Sequence, residues 1–149
     1  MVTERRVERS APIVVDASAV LAWLVEDAAV AVLERLFASN SSDGPAWFIA
    51  PAHLPVEVAN ALTVGERRGR WSREQVGEIV ELFIRCGIVI EPSIDGPDLA
   101  RVLDVARAES LTSYDAAYLE LAARTSGRLL SFDRALKAAA TRRGVELAS

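Results

Sequence analysis

Four acidic residues in this chain have types and spacings that suit chemistry. They are Asp16 at the end of PIVVD, Glu57 in HLPVEVANAL, Asp115 in LTSYDAAYLELA and Asp133 at the end of LLSFD. Asp16 and Asp133 each close an apolar run that reads as a strand buried on both faces, which carries the acid to the strand's carboxyl end. Glu57 follows Leu54 by three residues and precedes Ala61 by four, on the apolar stripe Leu54, Val58, Ala61 and Leu62 of a helical stretch. Asp115 precedes Tyr118, Leu119 and Ala122 by three, four and seven residues and lines up with that buried face.

A carboxylate turned toward a core needs a partner, because an isolated buried charge is very costly. Arginine or a metal ion would serve. Carboxylates gathered together raise one another's pKa unless a divalent cation supplies the opposite charge, so a cluster of four favours metal. Oxygen donors alone suit Mg²⁺ or Mn²⁺ rather than Zn²⁺. Ions so held draw in a phosphodiester and orient a hydrolytic water in line with the leaving oxygen. Taken singly, three of the acids have a plainer account, Asp115 as a first-turn acid favoured by the helix dipole and Asp16 and Asp133 as caps of the next helix, while the inward stripe favours a functional role for Glu57. Convergence at one place is what favours chemistry.

That convergence depends on the surrounding elements. Strand-like runs fall at 12–16, 47–49, 88–90 and 128–132, and more weakly at 145–147. Helical stretches lie between them: 18–26 with Ser18 as cap, 28–39 ending in the polar loop 40–45, 55–68 opened by Pro55, and 72–85 capped by Ser72. Three more follow, at 97–108 opened by Pro97, 113–124 capped by Thr112 or Ser113, and 133–141. The alternation predicts an α/β fold with a mostly parallel sheet. The Glu57 helix leaves strand 47–49 through a short loop and so begins at the carboxyl edge. The Asp115 helix enters strand 128–132 through the tight turn Ser126–Gly127, so it too starts at that edge. All four acids meet on the rim where open α/β sheets hold ligands.

Composition narrows the classes further. With 149 residues, 51% hydrophobic and 26% charged, the chain suits one domain over 12–149, preceded by a polar, unpatterned arm at 1–11. No apolar run approaches the roughly 20 residues a membrane helix needs, and the expectation is a cytoplasmic protein with no membrane partner. Cys86 is the single cysteine, which excludes an internal disulfide or a thiolate zinc cage; its neighbours in LFIRCGIVI suggest a buried small hydrophobe. A net charge of −4, with Lys137 the single lysine, does not describe a protein that grips nucleic acid by neutralising phosphates. His53 is the only histidine, which disfavours metal-free ribonuclease chemistry built on a histidine pair, and it reads as a helix-start residue. Phosphate-binding glycine loops and the G-x-S-x-G elbow are absent.

The segments IVVDASAVLAWLVED, PVEVANAL, LTSYDAAYLELA and LLSFDRAL, in this order and spacing, resemble the PIN-domain nucleases, in particular the VapC-type toxins of bacterial toxin–antitoxin pairs. The resemblance runs from about Ile13 to the carboxyl end; the arm at 1–11 departs from the usual pattern. It implies a metal-dependent ribonuclease hydrolysing RNA phosphodiester bonds, with Asp16, Glu57, Asp115 and Asp133 as ligands for Mg²⁺ or Mn²⁺. Ser18, Asn60 and Ser131 would be polar supports, Ser131 standing where many relatives have threonine. It also implies a three-layer α/β/α sandwich with a sheet of about five strands, a homodimer, and a cognate antitoxin that blocks the site. Arg67, Arg68, Arg70 and Arg134 are candidate RNA contacts. Two other classes compete. A receiver-like signalling domain shares the sheet and an acidic Mg²⁺ pocket but needs a strand-end lysine, and Lys137 falls within the last helix. A non-catalytic PIN-fold binding protein is the other, and retention of all four acids counts against it.

Overall fold

A computed structural model of the chain describes residues 10–25 and 47–148. Residues 1–9 of the arm at 1–11, the helix expected at 28–39 and the loop at 40–45 lie outside the described residues. Ile13, Val14 and Val15 form β1 (Ile13–Val15), and all three are buried. Parallel neighbours lie on both sides: β2 (Phe48–Ala50), with Phe48 opposite Ile13, and β4 (Arg128–Leu130), with Leu130 opposite Val15. β3 (Val89–Ile90) pairs in parallel on the far side of β2, so the order is β3-β2-β1-β4. Continuous β-branched and aromatic runs are what strands covered on both faces require. The weak fifth run contributes one parallel bridge, Leu147 to Leu129, so four strands stand where about five were expected.

Six described helices flank this sheet: α1 (Ala17–Val25), α2 (Leu54–Arg67), α3 (Arg73–Arg85), α4 (Gly96–Glu109), α5 (Ser113–Arg124) and α6 (Arg134–Arg142). α1, α2 and α3 pack on one another; α5 packs against β1, β4, α4 and α6. The result is the expected three-layer sandwich. Local caps fix most boundaries. Ser72 and Gln75 close a capping box on α3, Asp95 and Asp98 another on α4, and Thr112, rather than Ser113, caps α5. Asp133 caps α6 from outside, its Oδ1 accepting from Leu136 N–H at 2.7 Å. The cap of α1 corrects the sequence reading. Asp16 takes that role in place of Ser18, its Oδ1 accepting from Ala19 N–H at 2.9 Å, because the chain leaves β1 at Asp16 and turns directly into the helix.

The core centres on α5, whose residues 116–122 are all buried. Its one buried acid, Glu120, accepts from Arg101 Nε at 3.0 Å and Arg124 Nε at 3.2 Å, while Arg124 also reaches Glu91 at 2.7 Å. This chain of charges ties α4 and α5 to the segment after β3. No helix among the described residues is long and apolar enough to cross a membrane.

Candidate active site

The carboxyl end of the central strand carries Asp16, which is 4% exposed. Three donors hold its carboxylate: Ser18 Oγ–H to Oδ1 at 2.7 Å, the Ala19 N–H just described, and the Ser131 hydroxyl to Oδ2. The same two hydroxyls also accept. Ser18 Oγ takes the Phe132 N–H at 2.9 Å, and Ser131 Oγ takes the Asp133 N–H at 3.0 Å. The segment leaving β4 is thereby stitched to the start of α1, and Asp133 is carried close enough for its charge to act on Asp16. Burial pushes the Asp16 carboxyl above the ordinary aspartate range. Bonds from Ser131, Ala19 and Ser18 oppose that shift, and the Asp133 charge adds to it.

Glu57 and Asp115 approach from the helix side. Glu57 lies in the first turn of α2, half-buried at the margin of its apolar stripe, and accepts a hydrogen bond from the Tyr118 hydroxyl. His53 Nε2 lies 3.5 Å from the same carboxylate. Asp115 is also half-buried. It exchanges two bonds with its cap: the Thr112 hydroxyl donates to Oδ2 at 2.9 Å and accepts the Asp115 N–H at 3.1 Å. Tyr118 links the two sides. Its phenol is pushed far up, first by burial, then by the bond to Glu57 and by the charges of Glu57, Asp16 and Asp115.

Among the described residues no arginine pairs with these acids. Glu91, Asp98, Glu109 and Glu120 are all paired with arginines, whereas among the described residues Asp16, Asp115 and Asp133 join no ion pair and Glu57 faces only His53. Oxygen donors, adjacent hydroxyls and a buried uncompensated carboxylate fit a hard divalent cation. The arrangement is nonetheless open. Among the described residues no three His, Cys, Asp or Glu side chains converge tightly enough to cage one ion as they stand. Asp16 and Asp133 form one half of the rim; Glu57 and Asp115, whose charges both act on Tyr118, form the other.

Asn60 is exposed, makes no hydrogen bond among the described residues, and faces a cleft of about 380 Å³ shared with Leu21, Val64, Arg68, Arg70 and Trp71. Arg67 ends α2, about 15 Å along the helix from Glu57 at the usual rise per residue. Arg70 lies over the Trp71 ring at 4.6 Å. Of the four arginines considered, only Arg134 adjoins the acids, next to Asp133. Lys137 lies inside α6, away from any strand end, which removes the receiver-like reading's key residue. Cys86 caps α3 half-buried rather than fully inside; burial raises its thiol to about 11, which leaves little thiolate near neutral pH.

Two further residues border the acids: Tyr118, which the sequence does not mark as a site residue, and His53, a helix-start residue with a chance of touching substrate. Tyr118 was legible only as core, although a buried phenol needs a hydrogen-bond partner, and its spacing of three from Asp115 was a usable signal. His53 is wedged between two tyrosines: its ring centroid is 5.0 Å from Tyr118 and 5.5 Å from Tyr114. Its Nε2 is buried without a hydrogen-bond partner among the described residues.

Comparison with known proteins adds independent observations. The PIN domain family model matches residues 13–141. No curated protein matches the sequence. Among solved structures, the chain is similar to PAE2754 from Pyrobaculum aerophilum, with 24% identity over 93% of this chain and 88% of that one and a TM-score of 0.64. It is also similar to VapC20 of Mycobacterium tuberculosis, described as a sarcin-ricin loop cleaving toxin, with 19% identity over 85% of this chain and 94% of that one and a TM-score of 0.59. FitAcB from Neisseria gonorrhoeae is similar at 14% identity over 92% and 96% of the two chains, with a TM-score of 0.60. At these identities the structural likeness speaks for the fold.

Proposed function

Because the chain belongs to the PIN domain family, we propose that its acidic rim is the active site of a metal-dependent ribonuclease and that the protein is the toxin of a toxin–antitoxin pair. One observation carries this reading: Asp16, buried at the carboxyl end of the central strand, is held by three donors and has no cation to balance it among the described residues. Glu120, the buried acid that ties helices together, is by contrast paired with two arginines. The similar fold of an RNA-cleaving toxin, VapC20, supports RNA as the substrate class.

Asp16, Glu57, Asp115 and Asp133 would hold Mg²⁺ or Mn²⁺. When bound, such an ion supplies the charge that draws in a phosphodiester and lowers the pKa of a hydrolytic water. The chain's own part is orientation. Ser18 and Ser131 fix both oxygens of Asp16. Tyr118 fixes Glu57. Supports of this kind commonly matter by about 10- to 100-fold in affinity or activity. A homodimer and a cognate antitoxin covering the rim complete the proposal.

The direct test is cleavage of mixed structured and single-stranded RNAs with Mg²⁺, Mn²⁺ or EDTA, comparing wild type with Asp16→Asn and Asp115→Asn. Cleavage is expected to require metal and to disappear in both folded variants. Full activity in either variant would overturn the assignment, and a folded wild type inert on every RNA would favour the non-catalytic binding protein.

A further inference from the structure

We propose that Tyr114 and Phe132 are stacking platforms for unpaired RNA bases on either side of the phosphate presented to the acids. This rests on the ribonuclease reading and adds to it how the substrate is held.

Among the described residues, the two exposed large aromatic side chains both adjoin the acids in sequence. Tyr114 is 63% exposed and Phe132 is 46% exposed. Tyr114 immediately precedes Asp115; Phe132 stands between Ser131 and Asp133. Each therefore flanks one half of the acidic rim. Both are firmly mounted. The Tyr114 ring packs against His53 at 5.5 Å and 60°, and His53 packs in turn against the fully buried Tyr118 at 5.0 Å and 71°. Three rings thus run from the Glu57 carboxylate out to solvent, with Tyr114 at the open end. Phe132 is pinned by its backbone, its N–H donating to Ser18 Oγ, the hydroxyl that also holds Asp16.

The charge pattern explains why such platforms are needed. The chain carries a net charge of −4, and Arg101, Arg124, Arg142 and Arg143 are committed to ion pairs with its own acids. Among the described arginines outside such pairs, Arg134 is the one that adjoins the acids in sequence, next to Asp133. Stacking on aromatic rings holds bases without cationic help, tolerates sequence variation, and requires bases that are unpaired. The expected substrate is therefore single-stranded at the cut, whatever the fold around it.

The test uses an unstructured oligoribonucleotide of randomised sequence containing 2-aminopurine, whose fluorescence is quenched by stacking, and the corresponding duplex, mixed rapidly with protein in Mg²⁺. Wild type is expected to quench the probe and to prefer the single strand. Tyr114→Leu and Phe132→Leu, which keep apolar bulk but lose the ring, should each weaken binding about tenfold and lose part of the quench, raising KM for cleavage with little change in kcat. Tyr114→Phe should bind within about twofold of wild type, since the ring is retained. Leucine variants that bind and quench like wild type, or a preference for duplex, would overturn the inference while leaving a cleaving enzyme. A wild type that neither binds nor cleaves RNA would overturn the ribonuclease reading and this inference with it.

Discussion

Asp16 shows what the site demands of the fold. Burial raises its carboxyl above the ordinary aspartate range, so the folded protein holds that proton more tightly than the unfolded chain does. Between the two pKa values the folded state carries the greater number of protons; stability from this group therefore falls as pH rises through that window and stays lower above it. Asp16→Asn removes the charge while keeping an oxygen for Ser18 and the Ala19 N–H. In EDTA the variant is expected to melt higher than wild type at neutral pH, with the difference shrinking as pH drops into the ordinary aspartate range. Thermal melts across pH would check this. A variant less stable at neutral pH would mean that the bonds to Ser18, Ser131 and Ala19 outweigh the penalty of burial. An acid whose removal stabilises the fold is kept for what it does.

At the scale of elements, α2 carries a glycine where helix propensity alone would prefer alanine by about 1 kcal/mol. Gly65 is buried in that helix, and the Trp71 indole occupies the space its Cβ would take. Gly65→Ala should displace the indole, at an overpacking cost of about 1–3 kcal/mol against that propensity gain. A net loss of about 1 kcal/mol in urea unfolding is expected; a gain would mean that Trp71 moves aside freely. This contact, like the partner of Tyr118, was not legible in the sequence, because it depends on how separate elements approach. Tyr118 and Glu57 are 61 positions apart, and no local pattern relates them. What was legible was local. Strand ends placed Asp16 and Asp133, and Ser72 as a cap bounded α3. The stripe placed Glu57 farther inward than it stands, since a helix's first turn at a sheet edge is where its buried face meets solvent. Ser18 and Asp16 were both plausible caps for α1, and only the turn out of β1 decides between them.

For the whole molecule, the division of charge is the main organising fact. Arginines balance the acids that bind helices together, and the rim is left without any such balance among the described residues. A ligand that binds only the folded state stabilises it by about 2.7 kcal/mol at 100 times its Kd. Mn²⁺ titrated into the wild type should therefore raise Tm by several degrees, increasing with the logarithm of concentration, and leave Asp16→Asn unmoved. An equal rise in both would place the ion elsewhere on the acidic surface.

The sheet order has one more consequence. β1, which delivers Asp16, has a strand hydrogen-bonded along each edge and three residues wholly inside the core. Segments of this kind exchange their amide hydrogens only when the entire domain opens, whereas lids and switches are drawn from regions that open alone. The central acid is thus anchored to the part of the chain least able to move. Local melting cannot turn it off, and an inhibitor of such a site has to work from outside, by occupying the rim.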